Sequence, residues 1–125
     1  MAIPILIADD LESLLKLVRS VLRELRLEQV DEAEDGQAAL SMLEKTRYSL
    51  LIADWNMPRM DGLALLKAVR EHETLKTMPV IMLTGDGTRD HVIEAAKLGI
   101  SGFVVKPFTP EALAAAVRRV IPASG

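Results

Sequence analysis

Two kinds of segment alternate along the chain. Ile3 to Ala8, Leu50 to Ala53, Val80 to Leu83 and Phe103 to Val105 are short, apolar throughout, and closed by Asp, Thr or Lys-Pro. Such runs suit parallel strands buried on both faces. Val30 to Glu34 is more polar and reads as an edge strand. Elsewhere apolar residues recur at intervals of three and four. Leu11, Leu14, Leu15, Val18, Val21, Leu22 and Leu25 form one such set, Leu63, Leu66 and Val69 a second, Val92, Ala95 and Ala96 a third, and Leu113, Val117, Val120 and Ile121 a fourth. That spacing lines each set along one side of a helix. A shorter helix is expected from Gln37 to Lys45. Thr109-Pro110-Glu111 opens the last helix with a capping hydroxyl and a proline in the first helical position. Strand then helix, five times over, predicts a doubly wound α/β fold around a parallel sheet.

Composition narrows the class. At 125 residues the chain is long enough to bury a core as one domain. With 50% hydrophobic and 26% charged residues it is globular rather than disordered. Aromatics are only 3%, so Leu, Ile, Val, Ala and the six Met residues fill the interior. There is no cysteine, which excludes disulfides, thiol catalysis and Cys-based zinc sites. A net charge of −3 gives no pull toward nucleic acid or an anionic membrane. No apolar run approaches the roughly 20 residues of a membrane span. The start, Met1-Ala2-Ile3-Pro4, lacks a signal peptide's basic region, so a cytoplasmic location is expected. Residues 1–125 are expected to form a single domain with no output domain, Pro122 to Gly125 being a frayed end.

In an open parallel sheet, ligands bind beyond the carboxyl ends of the strands. Asp9 and Asp10 follow the first strand, Asp54 the third, Thr84 and Gly85 the fourth, and Lys106 and Pro107 the fifth. Each has an ordinary alternative role as a cap, a turn residue or a solvated charge. Their coincidence on one rim is what singles them out. Three clustered carboxylates repel one another. One lysine and one divalent cation bring the formal sum to zero. Oxygen ligands favour Mg²⁺, or Mn²⁺, over softer metals. A carboxylate so placed can act as a nucleophile toward phosphorus, forming an aspartyl phosphate. Gly85 leaves room for phosphoryl oxygens beside Thr84.

These residues resemble the receiver domain of two-component response regulators, and in particular those of the stand-alone chemotaxis type. The resemblance rests on Ala8-Asp9-Asp10, Asp35-Gly36, Asp54-Trp55-Asn56-Met57-Pro58, Met60-Asp61-Gly62, Thr84 and Gly102-Phe103-Val104-Val105-Lys106-Pro107-Phe108, in that order along nearly the whole chain. It implies a flavodoxin-like, five-stranded parallel sheet of order 2-1-3-4-5 with five helices. It implies that Asp54 is the phosphoacceptor. Asp10 and Asp54 would ligate Mg²⁺, with Asp9 acting largely through water and Asn56 through its carbonyl. Thr84 would bond the phosphoryl group, and Lys106 would pair with it beside a cis bond to Pro107. The donor would be a sensor histidine kinase or a histidine phosphotransfer protein. A separate target, motility-type output first among them, would dock on the face of helix four, strand five and helix five, including Val92 and Phe103. Such a chain is no enzyme beyond intrinsic autophosphatase activity, and is a monomer or weak dimer.

Some positions depart from the family pattern. Phe103 stands where the switch residue is often Tyr. Gly85-Asp86-Gly87 should make its loop mobile. Asn56 and Asp86 flank the site, where variable residues tune dephosphorylation, and suggest a short-lived phosphoryl state. One of Ala114, Ala115 and Ala116 is expected to pack inward, leaving a smooth surface beside Arg118 and Arg119. His72 and His91 are read as surface residues, Arg59 and Arg89 as solvated, and Trp55 as rim packing. Two other functions fit parts of the pattern: a phosphorylation-independent binding module of the same fold, and a haloacid-dehalogenase-like phosphohydrolase. The second would carry an acid two residues after the nucleophile, where this chain has Asn56.

Overall fold

The computed structural model describes residues 3–85 and 87–121, so residues 1–2, Asp86 and residues 122–125 lie outside the described residues. Five strands, β1 (Ile5–Ala8), β2 (Val30–Ala33), β3 (Leu50–Asp54), β4 (Val80–Thr84) and β5 (Gly102–Val105), alternate with five helices. The helices are α1 (Glu12–Glu24), α2 (Gly36–Lys45), α3 (Gly62–Glu71), α4 (Arg89–Lys97) and α5 (Pro110–Val120). All strand pairs are parallel, in the order β2-β1-β3-β4-β5. The polar strand β2 lies at one edge, as its composition predicts.

Side chains alternate across the sheet, so each strand feeds two cores. Ile5, Ile7, Leu50, Ile52, Ile81, Leu83 and Val104 meet Leu15, Val18 and Leu22 of α1 and Leu113 and Val117 of α5. Leu6, Ala8, Leu51, Ala53, Val80 and Met82 meet the buried faces of α2 and α3, with Ala95 of α4. Side chains cap four of the helices. Asp35, Asp61, Thr88 and Thr109 accept the amide N–H of Ala38, Ala64, His91 and Ala112.

Three expectations are corrected. Leu11 belongs to no buried stripe: it precedes α1 as its cap residue and is 54% exposed. In α4 only Ala95 is buried; Ala96, expected on the same side of the helix, faces outward, as does Val92, in keeping with its place on the expected docking face. A three-residue apolar pattern cannot tell a buried stripe from an exposed one, and here the outer members have nothing above them to pack on. His91 is half-buried rather than a surface residue, because its ring lies on Trp55. Of the three alanines in α5, Ala116 packs inward and Ala115 faces solvent.

Candidate functional site

Strand register builds the site. Ala8 is paired with Ala53, so Asp9 and Asp54 leave adjacent strands side by side. Asp54 is itself opposite Leu83, and Thr84 is opposite Val105. The next amide, Lys106 N–H, donates to Thr84 O at 2.7 Å. Four strand ends therefore deliver Asp9, Asp54, Thr84 and Lys106 to one rim. Asp9, Asp54 and Thr84 are buried there, and Asp10 is exposed beside them.

Carboxylate oxygens of Asp9, Asp10 and Asp54 lie within 4.8 Å of one another. Lys106 Nζ is 2.7 Å from Asp54 Oδ1, a charge contact without the alignment of a hydrogen bond. Asp9 Oδ1 accepts the Leu11 amide at 3.0 Å, which fixes the turn into α1. Its Oδ2 is buried with no hydrogen-bond partner, and Asp54 Oδ1 likewise accepts none. Burial pushes the Asp9 carboxyl up from 3.8 to about 6. The charges of Asp54 and Asp10 add to the rise, and the Leu11 amide and Lys106 oppose it. Buried carboxylate oxygens without donors are costly unless something positive meets them. The donor set is all oxygen and its formal charge is that of three acids against one ammonium, so a hard divalent cation fits.

The remaining predicted residues surround this cluster. Asn56 is exposed in the turn after β3, two residues past Asp54. Gly85 follows β4, and a β-carbon there would meet nothing within 4 Å, so the space beside Thr84 is open. Gly87 differs: its β-carbon would lie 2.7 Å from Val105 Cγ2, so the loop approaches β5 closely. The Lys106–Pro107 peptide is cis. Phe103 is half-buried in β5, its ring in a T-shaped contact with that of Trp55. Val92 is exposed on α4, and Asp86 lies outside the described residues.

The turn carrying Asn56 is held from below. Gly62 N–H donates to Trp55 O at 2.8 Å, and a β-carbon on Gly62 would fall 2.4 Å from Asp54 O. Only glycine lets α3 start this close to the end of β3. Arg59, in a left-handed conformation (φ 67°), pairs with Asp35, and Gly36 N–H donates to Met60 O at 3.1 Å. The Asp35 carboxyl is held below its usual range, first by the Ala38 amide and then by Arg59, against the effect of burial. Arg59 is thus paired, where the sequence reads as solvated. Its partner is visible in the sequence only as half of the Asp35-Gly36 motif.

Residues 5–118 match the response regulator receiver domain family. The chain belongs to that family. It is 44% identical over 116 residues to the chemotaxis protein CheY of Pseudomonas aeruginosa, covering 93% of this chain and 94% of that one. It is 45% identical over 109 residues to the chemotaxis protein CheY-3 of Vibrio cholerae, covering 87% and 84%. Among solved structures, the chemotaxis response regulator CheY4 of Vibrio cholerae superimposes with a TM-score of 0.88 at 36% identity, covering 97% of this chain and all of that one. A putative response regulator from Chloroflexus aurantiacus gives 0.89 at 33% identity, covering 96% and 98%. Receiver domains are signalling proteins rather than enzymes in the ordinary sense, so family membership sets the phosphohydrolase alternative aside. They bind Mg²⁺ at an acidic pocket, and this receiver has an Asp cluster suited to it. Among the described residues no helix is long and apolar enough to cross a membrane.

Proposed function

We propose that this receiver is a switch in which Asp54 accepts a phosphoryl group from the phosphohistidine of a sensor kinase or phosphotransfer protein. The observation that carries the reading is the meeting of Asp9, Asp10 and Asp54 within 4.8 Å, with Lys106 Nζ 2.7 Å from Asp54. An Asp54 carboxylate oxygen attacks phosphorus, the donor's P–N bond breaks, and the freed imidazole nitrogen takes up a proton. When bound, Mg²⁺ (or Mn²⁺) supplies positive charge that offsets the phosphoryl oxygens. Asp10, Asp54 and the Asn56 carbonyl would hold it, with Asp9 acting largely through water. Lys106 moves its charge from the carboxylate to a phosphoryl oxygen, and the Thr84 hydroxyl donates to another. The open space at Gly85 admits the group.

An acyl phosphate adds about one negative charge next to β4. Thr84 and Lys106 turn toward it, and that favours a second arrangement of the β4–α4 loop and Phe103. The target, a separate cytoplasmic protein, reads the face of α4, β5 and α5, where Val92, Ile93 and Val105 are exposed. The likeness to two chemotaxis proteins supports a motility output. Water removes the phosphoryl group at an intrinsic rate set partly by Asn56 and Asp86. The chain acts as a monomer or weak dimer.

Incubation with Mg²⁺ and acetyl phosphate tests the assignment. The expected product is a single labile phosphoryl adduct on Asp54, absent from Asp54→Ala and absent in EDTA. An unmodified wild-type chain indicates a binding module that needs no phosphorylation. Steady phosphate release from many esters indicates a hydrolase.

A further inference from the structure

The site ends in an aromatic unit that the phosphoryl chemistry does not use. Trp55 is the residue after Asp54, and its backbone is clamped on both sides: its N–H donates to Leu83 O at 2.8 Å and its carbonyl accepts Gly62 N–H at 2.8 Å. The buried indole has one face against the His91 imidazole, with ring centroids 4.3 Å apart and planes 8° from parallel. Phe103 meets the indole in a T-shaped contact, at 6.4 Å and 71°. His91 lies in the first turn of α4. Ala95 is the one buried residue of that helix, and its carboxyl end is tied to Arg70, which donates to Leu98 O at 2.8 Å and Gly99 O at 2.7 Å. One end of α4 is thus pinned by a guanidinium, and the other rests on the residue adjoining the phosphoacceptor.

We propose that His91 is a positioning residue: its stack on Trp55 holds the amino end of α4 and the ring of Phe103 in the arrangement of the unphosphorylated chain. This rests on the reading of Asp54 as phosphoacceptor and adds a regulator of it. The stack coexists with the Lys106–Asp54 contact that a phosphoryl group on Asp54 would replace, so it belongs to the arrangement that phosphorylation must displace. Removing it shifts the balance toward the other state, and by linkage eases modification of Asp54. An aromatic pair of this geometry contributes a factor of roughly 2 to 12 to such an equilibrium. Trp55 is the chain's single tryptophan, so its emission reports the stack directly.

The test compares wild type, His91→Ala and His91→Phe. Acrylamide quenching of Trp55, measured without any donor, should rise in His91→Ala and stay at the wild-type value in His91→Phe, which keeps the ring. With Mg²⁺ and acetyl phosphate, His91→Ala should modify Asp54 roughly 2- to 12-fold faster, and His91→Phe at the wild-type rate. Equal quenching and equal rates in all three chains overturn the proposal. So does a His91→Phe chain that behaves like His91→Ala, since a polar contact of His91 and not its ring would then matter. If no chain is modified while quenching changes as expected, the phosphoacceptor reading fails and the regulatory role fails with it.

Discussion

Helices α1 and α4 show the same spacing of apolar residues in the sequence and meet opposite fates in the fold. Leu15, Val18, Val21 and Leu22 of α1 are buried against β1, β3 and α5. In α4, Ala95 alone is buried, and Val92 and Ile93 are 38% and 39% exposed. Both helices flank the acidic rim: α1 starts just after Asp9 and Asp10, and α4 follows the Thr84 loop. Packing therefore fixes the side that holds the carboxylates and leaves loose the side that must respond to a phosphoryl group. Elements that move in a switch come from the weakly packed end of a fold. The contrast makes four measurable claims.

Leu22→Ala should cost the most. Leu22 is fully buried in the core shared by α1 and α5, and such truncations cost about 3 kcal/mol or more through lost burial and the cavity left behind. Urea unfolding measures it. A cost under about 1 kcal/mol would mean that α1 is no better packed than α4.

The acidic rim comes next, through pH. The folded Asp9 carboxyl, at about 6 against 3.8 for the free group, binds its proton more tightly than the unfolded one. Stability in EDTA should then fall as pH rises from about 4 to 6 and level off above, by up to about 3 kcal/mol. Asp9→Asn should flatten that fall. Added Mg²⁺ should reverse it at pH 7, because the cation binds the ionised form. A wild-type chain and an Asn variant with the same slope would move the cause elsewhere.

Much of the site is legible in the sequence. Asp9, Asp54, Thr84 and Lys106 each sit at or one position beyond the end of an apolar strand, so the parallel register that pairs Ala8 with Ala53 has to bring them together. The family resemblance supplies the strand order, which periodicity alone does not determine. Contacts between distant segments give weaker signals. Nothing in the residues near His91 points to Trp55, which lies far earlier in the chain, because stacking depends on where two loops end. Arg70 carries a hint, a basic group in the last turn of a helix. Its actual partners are carbonyls of other segments: Lys76, Met78, Leu98 and Gly99. Gly62 stands out in the sequence only as part of a motif, yet its role is local and physical, since Asp54 O leaves no space for a side chain.

Arg70→Leu sharpens the comparison from the loose side. Burial lowers the Arg70 pKa, and its bonds to four carbonyls offset that cost. Removing it strands those carbonyls, partly open to water, for about 2 kcal/mol. The loss should be local: amide exchange should quicken in α4 and the turn at Gly99 while α1 stays protected. Uniform acceleration through both helices would show that α4 is as integral to the core as α1.

Val92→Ala and Ile93→Ala should have the smallest effects, within about 0.5 kcal/mol each by urea unfolding. Truncation costs stability only as far as the removed methyl groups were packed and shielded from water, and both side chains already face solvent. That small cost is informative only beside Leu22→Ala, where a comparable loss of hydrocarbon occurs inside the core. If Val92→Ala costs about 2 kcal/mol or more, as a well-packed side chain would, α4 is held in solution far more tightly than its exposure indicates, and it cannot serve as the element that gives way. If it costs nothing, Val92 and Ile93 are free to place their apolar surface, with Val105 of β5, against a partner.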